Sequence, residues 1–229
     1  MIGEQEFAFI KARLSFWEKL NDTEKDIIQN NISRVTYKKG ANLRDADSEC
    51  LGVLLVRSGG LRVYILSEDG RDVTLYRLSS GDICVLSASC ILNSITFDVF
   101  IEAEEDTEVY LINIGAFSML CSQNVYIENF AYKSTIERFS DVMWAMEKIL
   151  FMSFDKRLAI FLLDEAARTN STEISFTQEQ IAKYIGSARE VVSRMLKVFQ
   201  SEEIIEQSRG VIHIKDKEKL KSLMNMERD

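Results

Sequence analysis

Between residues 61 and 65 the apolar side chains Leu61, Val63 and Ile65 alternate with Arg62 and Tyr64. A period of two predicts a strand with one face turned to a core. Six of the ten glycines fall between residues 40 and 81, and the breaks at Gly59-Gly60 and at the "SEDG" of residues 67–70 predict tight turns between short strands. Short strands resume in "FDVFIEAEEDTEVYLIN", residues 97–113. Several short antiparallel strands joined this way predict a small β-roll. Residues 6–31 before it read as helical, with Asn21 and Glu24 spaced as a capping-box variant that opens a short helix.

A long helical pattern follows, roughly Val125–Phe151. Tyr132, Ile136, Phe139, Met143, Met146 and Leu150 are spaced 4, 3, 4, 3, 4, an a/d stripe of the kind that pairs two helices. Val142, Ala145 and Ile149 are expected to widen it. At ~1.5 Å per residue such a helix is ~40 Å long, more than one small roll can cover. The stripe therefore predicts a dimer interface. The pattern breaks at residues 153–155, and "KRLAIFLLDEAART" starts a new helical unit.

In "TQEQIAKYIGSAREVVSRMLKVFQ", Thr177 with Gln180 spells one capping box and Ser187 with Glu190 spells a second. Two helices joined by a turn at Gly186 are expected, with small Ala182 at their crossing and Ile181, Ile185, Val192 and Met195 as their shared core: a helix-turn-helix. On the second helix Val192, Met195, Leu196 and Phe199 should point inward, and Arg189, Glu190, Ser193, Arg194 and Lys197 outward. An arginine can grip guanine through two hydrogen bonds, and a glutamate can accept from the cytosine amino group. The expected base-reading set is Arg189, Glu190, Ser193 and Arg194. After it, two short apolar strands flank Arg209-Gly210 in "IIEQSRGVIHI", a hairpin that makes the unit a winged helix. Thr177, Gln178, Ser187, Lys197 and Arg209 are the groups expected at the DNA backbone.

The whole is an α+β chain: a β-roll over residues 1–124, a dimerisation helix over 125–152 and a winged helix-turn-helix over 153–229. In this order, and in "FWEKL", "YKKG", "SGGLRVYILSEDGRDVTL", "SSGDI", "RGVIHIKDKEKL" and above all the "RExxSR" of residues 189–194, the chain resembles the Crp/Fnr transcriptional regulators. The resemblance implies a roll that senses an effector. It also implies a homodimer whose paired "RExxSR" helices read the half-sites of a palindromic promoter sequence, repressing or activating it, with RNA polymerase as a partner where it activates. Ala188 departs from the pattern, because many members carry a hydroxyl there for the DNA backbone.

Composition bears on this in three ways. The net charge of −8 argues against nucleic acid at first sight, but residues 155–229 hold 13 Lys+Arg and 13 Asp+Glu, leaving 15 and 23 elsewhere. The acidity lies outside the winged helix, and a neutral unit binds DNA if its cations share a face. No apolar run reaches the ~18 residues that span a bilayer. The start, "MIGEQEFAFIKARL", does not read as a secretory signal, so a cytoplasmic protein is expected, with no membrane partner.

Candidate enzyme chemistry is sparse. The one histidine, His213, falls on a wing strand, and no nucleophile–His–acid set can be built around it. There is no P-loop or dinucleotide motif. A ligand-sensing adaptor without DNA binding is the rival from another class; it would show a degraded recognition helix. Cys50, Cys84, Cys90 and Cys121 lack zinc spacing and lack the clustered N-terminal cysteines of the family's iron–sulfur sensors, so no metal is predicted. A redox, iron–sulfur or thiol-sensing regulator using Cys84 and Cys90 stays open as the alternative, as does haem.

Residues 81–98, "GDICVLSASCILNSITFD", carry no charge between Asp82 and Asp98. By the resemblance they stand where cyclic-nucleotide sensors hold the ribose with a Glu and the cyclic phosphate with an Arg-Ser pair. Here Leu86 replaces the Glu, and Phe97-Asp98 replaces the Arg-Ser. A phosphate needs donors or positive charge, so neither cAMP nor cGMP is expected. The expectation is either a packed strand pair with a short helix or the wall of an apolar pocket bounded by Leu86, Cys90, Phe97, Val142 and Met143, for an apolar or redox-active effector or for none.

Overall fold

The computed structural model describes residues 2–43, 52–68, 70, 72–85 and 99–225. It divides into two compact units, residues 1–66 with 75–143, and residues 67–74 with 144–229.

The first unit opens with helix α1 (Glu4–Arg13), a 3₁₀ turn (Trp17–Lys19) and α2 (Asp22–Asn30). The expected helical region is thus two helices hinged on a turn that buries Phe16 and Trp17. The Asn21 cap forms: its side chain accepts from the Glu24 amide at 2.9 Å, and Glu24 accepts from the Asn21 amide at 2.8 Å.

The roll comprises β1 (Ile32–Tyr37), β2 (Val53–Ser58), β3 (Leu61–Leu66), β4 (Asp72–Leu78), β5 (Ile83–Cys84), β6 (Phe100–Ala103) and β7 (Thr107–Ile112). Two sheets form, β1-β7-β2-β5 and β4-β3-β6. Strand β2 explains the layering. Its run Val53-Leu54-Leu55-Val56 is wholly buried because both faces are covered. Val53 and Leu55 join a core with Ile10, Trp17, Ile28, Phe117 and Ile127, under the helices. Leu54 and Val56 join the roll interior with Leu61, Val63, Leu78 and Ile101. Helices α3 (Ile114–Gln123) and α4 (Val125–Phe151) follow.

The second unit contains α5 (Phe154–Thr169), β8 (Glu173–Ile174), α6 (Gln178–Ile185), α7 (Arg189–Ser201), β9 (Ile205–Ser208), β10 (Val211–Ile214) and α8 (Lys217–Asn225). Its three strands pair in the order β8-β10-β9. Leu158 and Leu162 of α5, Ile181 of α6, Leu196 and Phe199 of α7, and Ile212 share one core. Phe161, Phe176 and Tyr184 close it as an aromatic trio with ring centroids 5.3 to 5.5 Å apart.

Candidate nucleic-acid interface

The first capping box forms as the spacing predicts. The Thr177 hydroxyl accepts from the Gln180 amide at 3.1 Å, and the Gln180 side chain accepts from the Thr177 amide at 2.9 Å. Gly186 ends α6 in the left-handed region, at φ 62°. Ala182 is buried where the helices cross.

The second box does not form. Helix α7 begins at Arg189, its N-cap is Ala188 with no side-chain cap, and the Ser187 amide turns back to the Ala182 carbonyl at 2.9 Å. The physical reason is the Gly186 turn. It runs one residue further than the S-x-x-E spacing allows, so Ser187 belongs to the closure of α6.

The two faces of α7 divide largely as the pattern predicts. Val192, Leu196 and Phe199 are buried and Met195 packs against the core. Arg189, Glu190, Arg194 and Lys197 are exposed and Ser193 is half-buried. Among the described residues the three cations of this face make no ion pair. Val211 pairs with Ser208 across the wing, and Arg209 is exposed at its tip beside Gly210 at φ 80°. A groove of about 500 Å³ is lined by Thr177, Gln178, Arg189, Gln207, Ser208 and Gly210. It brings two of the expected backbone groups and one base reader beside the wing. Gln207 and Ser208 were not among the expected site residues.

On α4, Tyr132, Ile136, Phe139, Met143, Met146 and Leu150 are all exposed, Phe139 and Leu150 by more than 60%. The expected widening is not realised: Ala145 is buried, Val142 packs into the roll interior, and Ile149, 38% exposed, lies against Gly186. At 100° per residue, positions 138, 142, 145 and 149 lie roughly 80–140° round the helix from the stripe, on one side of it.

Of the expected effector pocket, Leu86, Cys90 and Phe97 lie outside the described residues, as does Cys50. Near Val142 the roll interior holds Tyr76, whose hydroxyl lies 3.8 Å from the Cys84 sulfur. The Arg138 guanidinium sits 5.3 Å from the Tyr76 ring and donates to Asp141 at 2.8 Å. Cys84 is fully buried. Cys121 is half-buried, and burial, aided by the Glu128 charge, pushes its thiol up to about 11. Among the described residues no cluster of His, Cys, Asp and Glu is placed to hold a metal ion, and no helix is long and apolar enough to cross a membrane.

Residues 34–124 match the cyclic nucleotide-binding domain, and residues 156–223 match the Crp-like helix-turn-helix domain. The two matches together span well over half the chain. A solved structure of a Crp/Fnr-family protein from Eubacterium rectale is 42% identical and superposes with a TM-score of 0.91, covering 94% of this chain and all of that one. The chain belongs to the Crp/Fnr family of transcriptional regulators. Among more distant relatives, the transcriptional activator protein Anr of Pseudomonas protegens is 27% identical over 86% of this chain and 83% of its own length. The cAMP-activated global transcriptional regulator CRP of Pasteurella multocida is 23% identical over 74% and 83%. The expected architecture, an antiparallel roll, a long helix and a C-terminal helix-turn-helix, is that of the family.

Proposed function

We propose that this Crp/Fnr regulator binds a palindromic operator as a homodimer. In this reading residues 1–124 serve as sensor, 125–152 as dimerisation helix and 153–229 as DNA-binding domain. The observation that carries it is the α7 face, where Arg189, Arg194 and Lys197 stand exposed, without ion-pair partners among the described residues, on a well-packed helix-turn-helix whose first helix is capped. Arg189, Glu190, Ser193 and Arg194 read base edges. Thr177, Gln178, Ser187, Lys197 and Arg209 meet the sugar–phosphate backbone. The Ser187 hydroxyl caps no helix, and in this reading it donates to a phosphate in place of the hydroxyl that Ala188 lacks. Where the protein activates, RNA polymerase is its partner.

The homodimer rests on the exposed apolar stripe of α4, with a second copy as its occupant. A row of apolar side chains at a/d spacing is self-complementary, and two-fold symmetry brings two recognition helices to half-sites about one helical turn, ~34 Å, apart.

The effector of this chain is not a cyclic nucleotide. Phe97-Asp98 offers no cation to a cyclic phosphate, Val142 packs as an apolar core residue, and Arg138 is engaged by Asp141 and the Tyr76 ring. The roll takes an apolar or redox-active molecule, or none. The burial of Cys84 and the raised Cys121 thiol weigh against a thiol sensor among these residues. The test of the regulator reading is selection of duplexes from a randomised pool. A two-fold symmetric sequence supports it, and retention of the pool without enrichment contradicts it.

A further inference from the structure

The turn between α6 and α7 decides where Arg189, Glu190 and Arg194 point, and a side chain outside both helices holds it. α6 closes at Gly186, whose amide bonds to the Ala182 carbonyl, and the Ser187 amide does the same at 2.9 Å. The carbonyls of Ile185 and Gly186 then face past the helix end, where no further turn supplies donors. Arg157, in the first turn of α5, fills the gap. Its Nη1 donates to the Ile185 carbonyl at 2.8 Å and lies 3.5 Å from the Gly186 carbonyl. A helix C-terminus carries partial negative charge, so a cation is favoured there.

Two features make this more than a surface contact. The Arg157 guanidinium lies 5.6 Å from the Phe154 ring, and its Nε is buried without a hydrogen bond. Burying an N–H unpaired is costly, and a residue kept only for packing would avoid that cost by being apolar. Arg157 also stands at the start of the domain, its amide bonded to the Ser153 carbonyl at 3.1 Å just after α4 ends. A rotation of the first turn of α5 therefore carries the turn of the helix-turn-helix with it.

We propose that Arg157 is a positioning residue for DNA recognition: by holding the last carbonyls of α6 it fixes the direction of α7, so that sequence-specific binding depends on it more than general DNA affinity does. The inference rests on the DNA-binding reading above.

The test uses the full-length protein and two fluorescent duplexes of equal length, one selected by the wild-type chain from a randomised pool and one scrambled. Arg157→Gln is expected to lose about tenfold on the selected duplex, the scale of one mis-seated base contact, with no matching loss on the scrambled one. Arg157→Lys, which keeps the charge and one donor but not the planar fork, is expected to fall between. Circular dichroism and a thermal melt check that each variant is folded at the assay temperature. If Arg157→Gln does not fold, Arg157→Lys alone decides, by the same selective but smaller loss. Equal losses on both duplexes, or wild-type affinities for a folded variant, would overturn the proposal. A wild-type chain that selects no sequence would overturn the regulator reading and this inference together; selection by the wild type with no effect of the variants overturns this inference alone.

Discussion

Gly186 lies against Ile149 so closely that a Cβ added to it would stand 3.2 Å from Ile149 Cδ1. The glycine also sits at φ 62°, where a side chain costs roughly 1–2 kcal/mol. Gly186→Ala should therefore destabilise the protein by at least about 1–2 kcal/mol. Gly186→Asn should cost less, because Asn tolerates the left-handed region better. Denaturant titration of both variants checks the order; an Ala variant as stable as wild type would mean the turn relaxes out of this geometry.

The α4 stripe makes a second prediction. Burying it against a second copy should contribute several kcal/mol at ~25 cal/mol per Å². Met143→Glu combined with Met146→Glu sets charges into the stripe and should give a monomer with weakened operator binding. Sedimentation velocity measures this, and a double variant that remains fully dimeric refutes the interface.

Carboxylates on the roll predict the acid behaviour of the first unit. Glu6 is held below its ordinary range chiefly by the Gly3 amide, with Tyr110, Arg34 and Arg57 adding to it against burial. Burial alone would raise Glu108, but the hydrogen bonds from Arg57 and Arg34 outweigh it. Asp106 is lowered by Lys38 and the Lys39 amide. In each case the folded pKa lies below the unfolded one. The contribution is therefore complete above the unfolded carboxylate range, about pH 5, and is lost as pH falls through that range towards the lowered values. The unfolding midpoint should drop as pH falls below about 5, and Glu108→Gln should flatten that drop.

The boundaries of what the sequence made readable follow from the physics of each signal. The Thr177–Gln180 box, the turn at Gly186 and the inward face of α7 were readable because local spacing alone determines them. The Ser187–Glu190 box satisfied the same rule and failed, because the glycine turn, a tertiary device, moved the helix start to Arg189. Along α4 two apolar stripes interleave, and only packing shows that Val142 and Ala145 face inward while Met143 and Met146 face out. Arg157 had no signature. It is one charge among several in "FDKRLAIF", and its partners are backbone carbonyls 28 and 29 residues away.

For the effector site, the prediction is negative and sharp. Titration calorimetry with millimolar cAMP or cGMP should show no saturable binding, since Phe97-Asp98 offers no positive charge to a phosphate. Saturation near micromolar, abolished by Ser89→Trp, would show that the uncharged stretch of the roll is a nucleotide cassette after all.

The most direct test of the central claim is Arg194, exposed on α7. Wild type and Arg194→Ala should be compared on the selected operator and on every single-base variant of one half-site. The expected result is a loss of ~1–3 kcal/mol on the operator together with relaxed preference at one G·C position and unchanged preference elsewhere. A uniform loss across all the duplexes, with the base preferences intact, would mean that Arg194 touches only phosphate and would contradict the assignment of α7 as the reading helix.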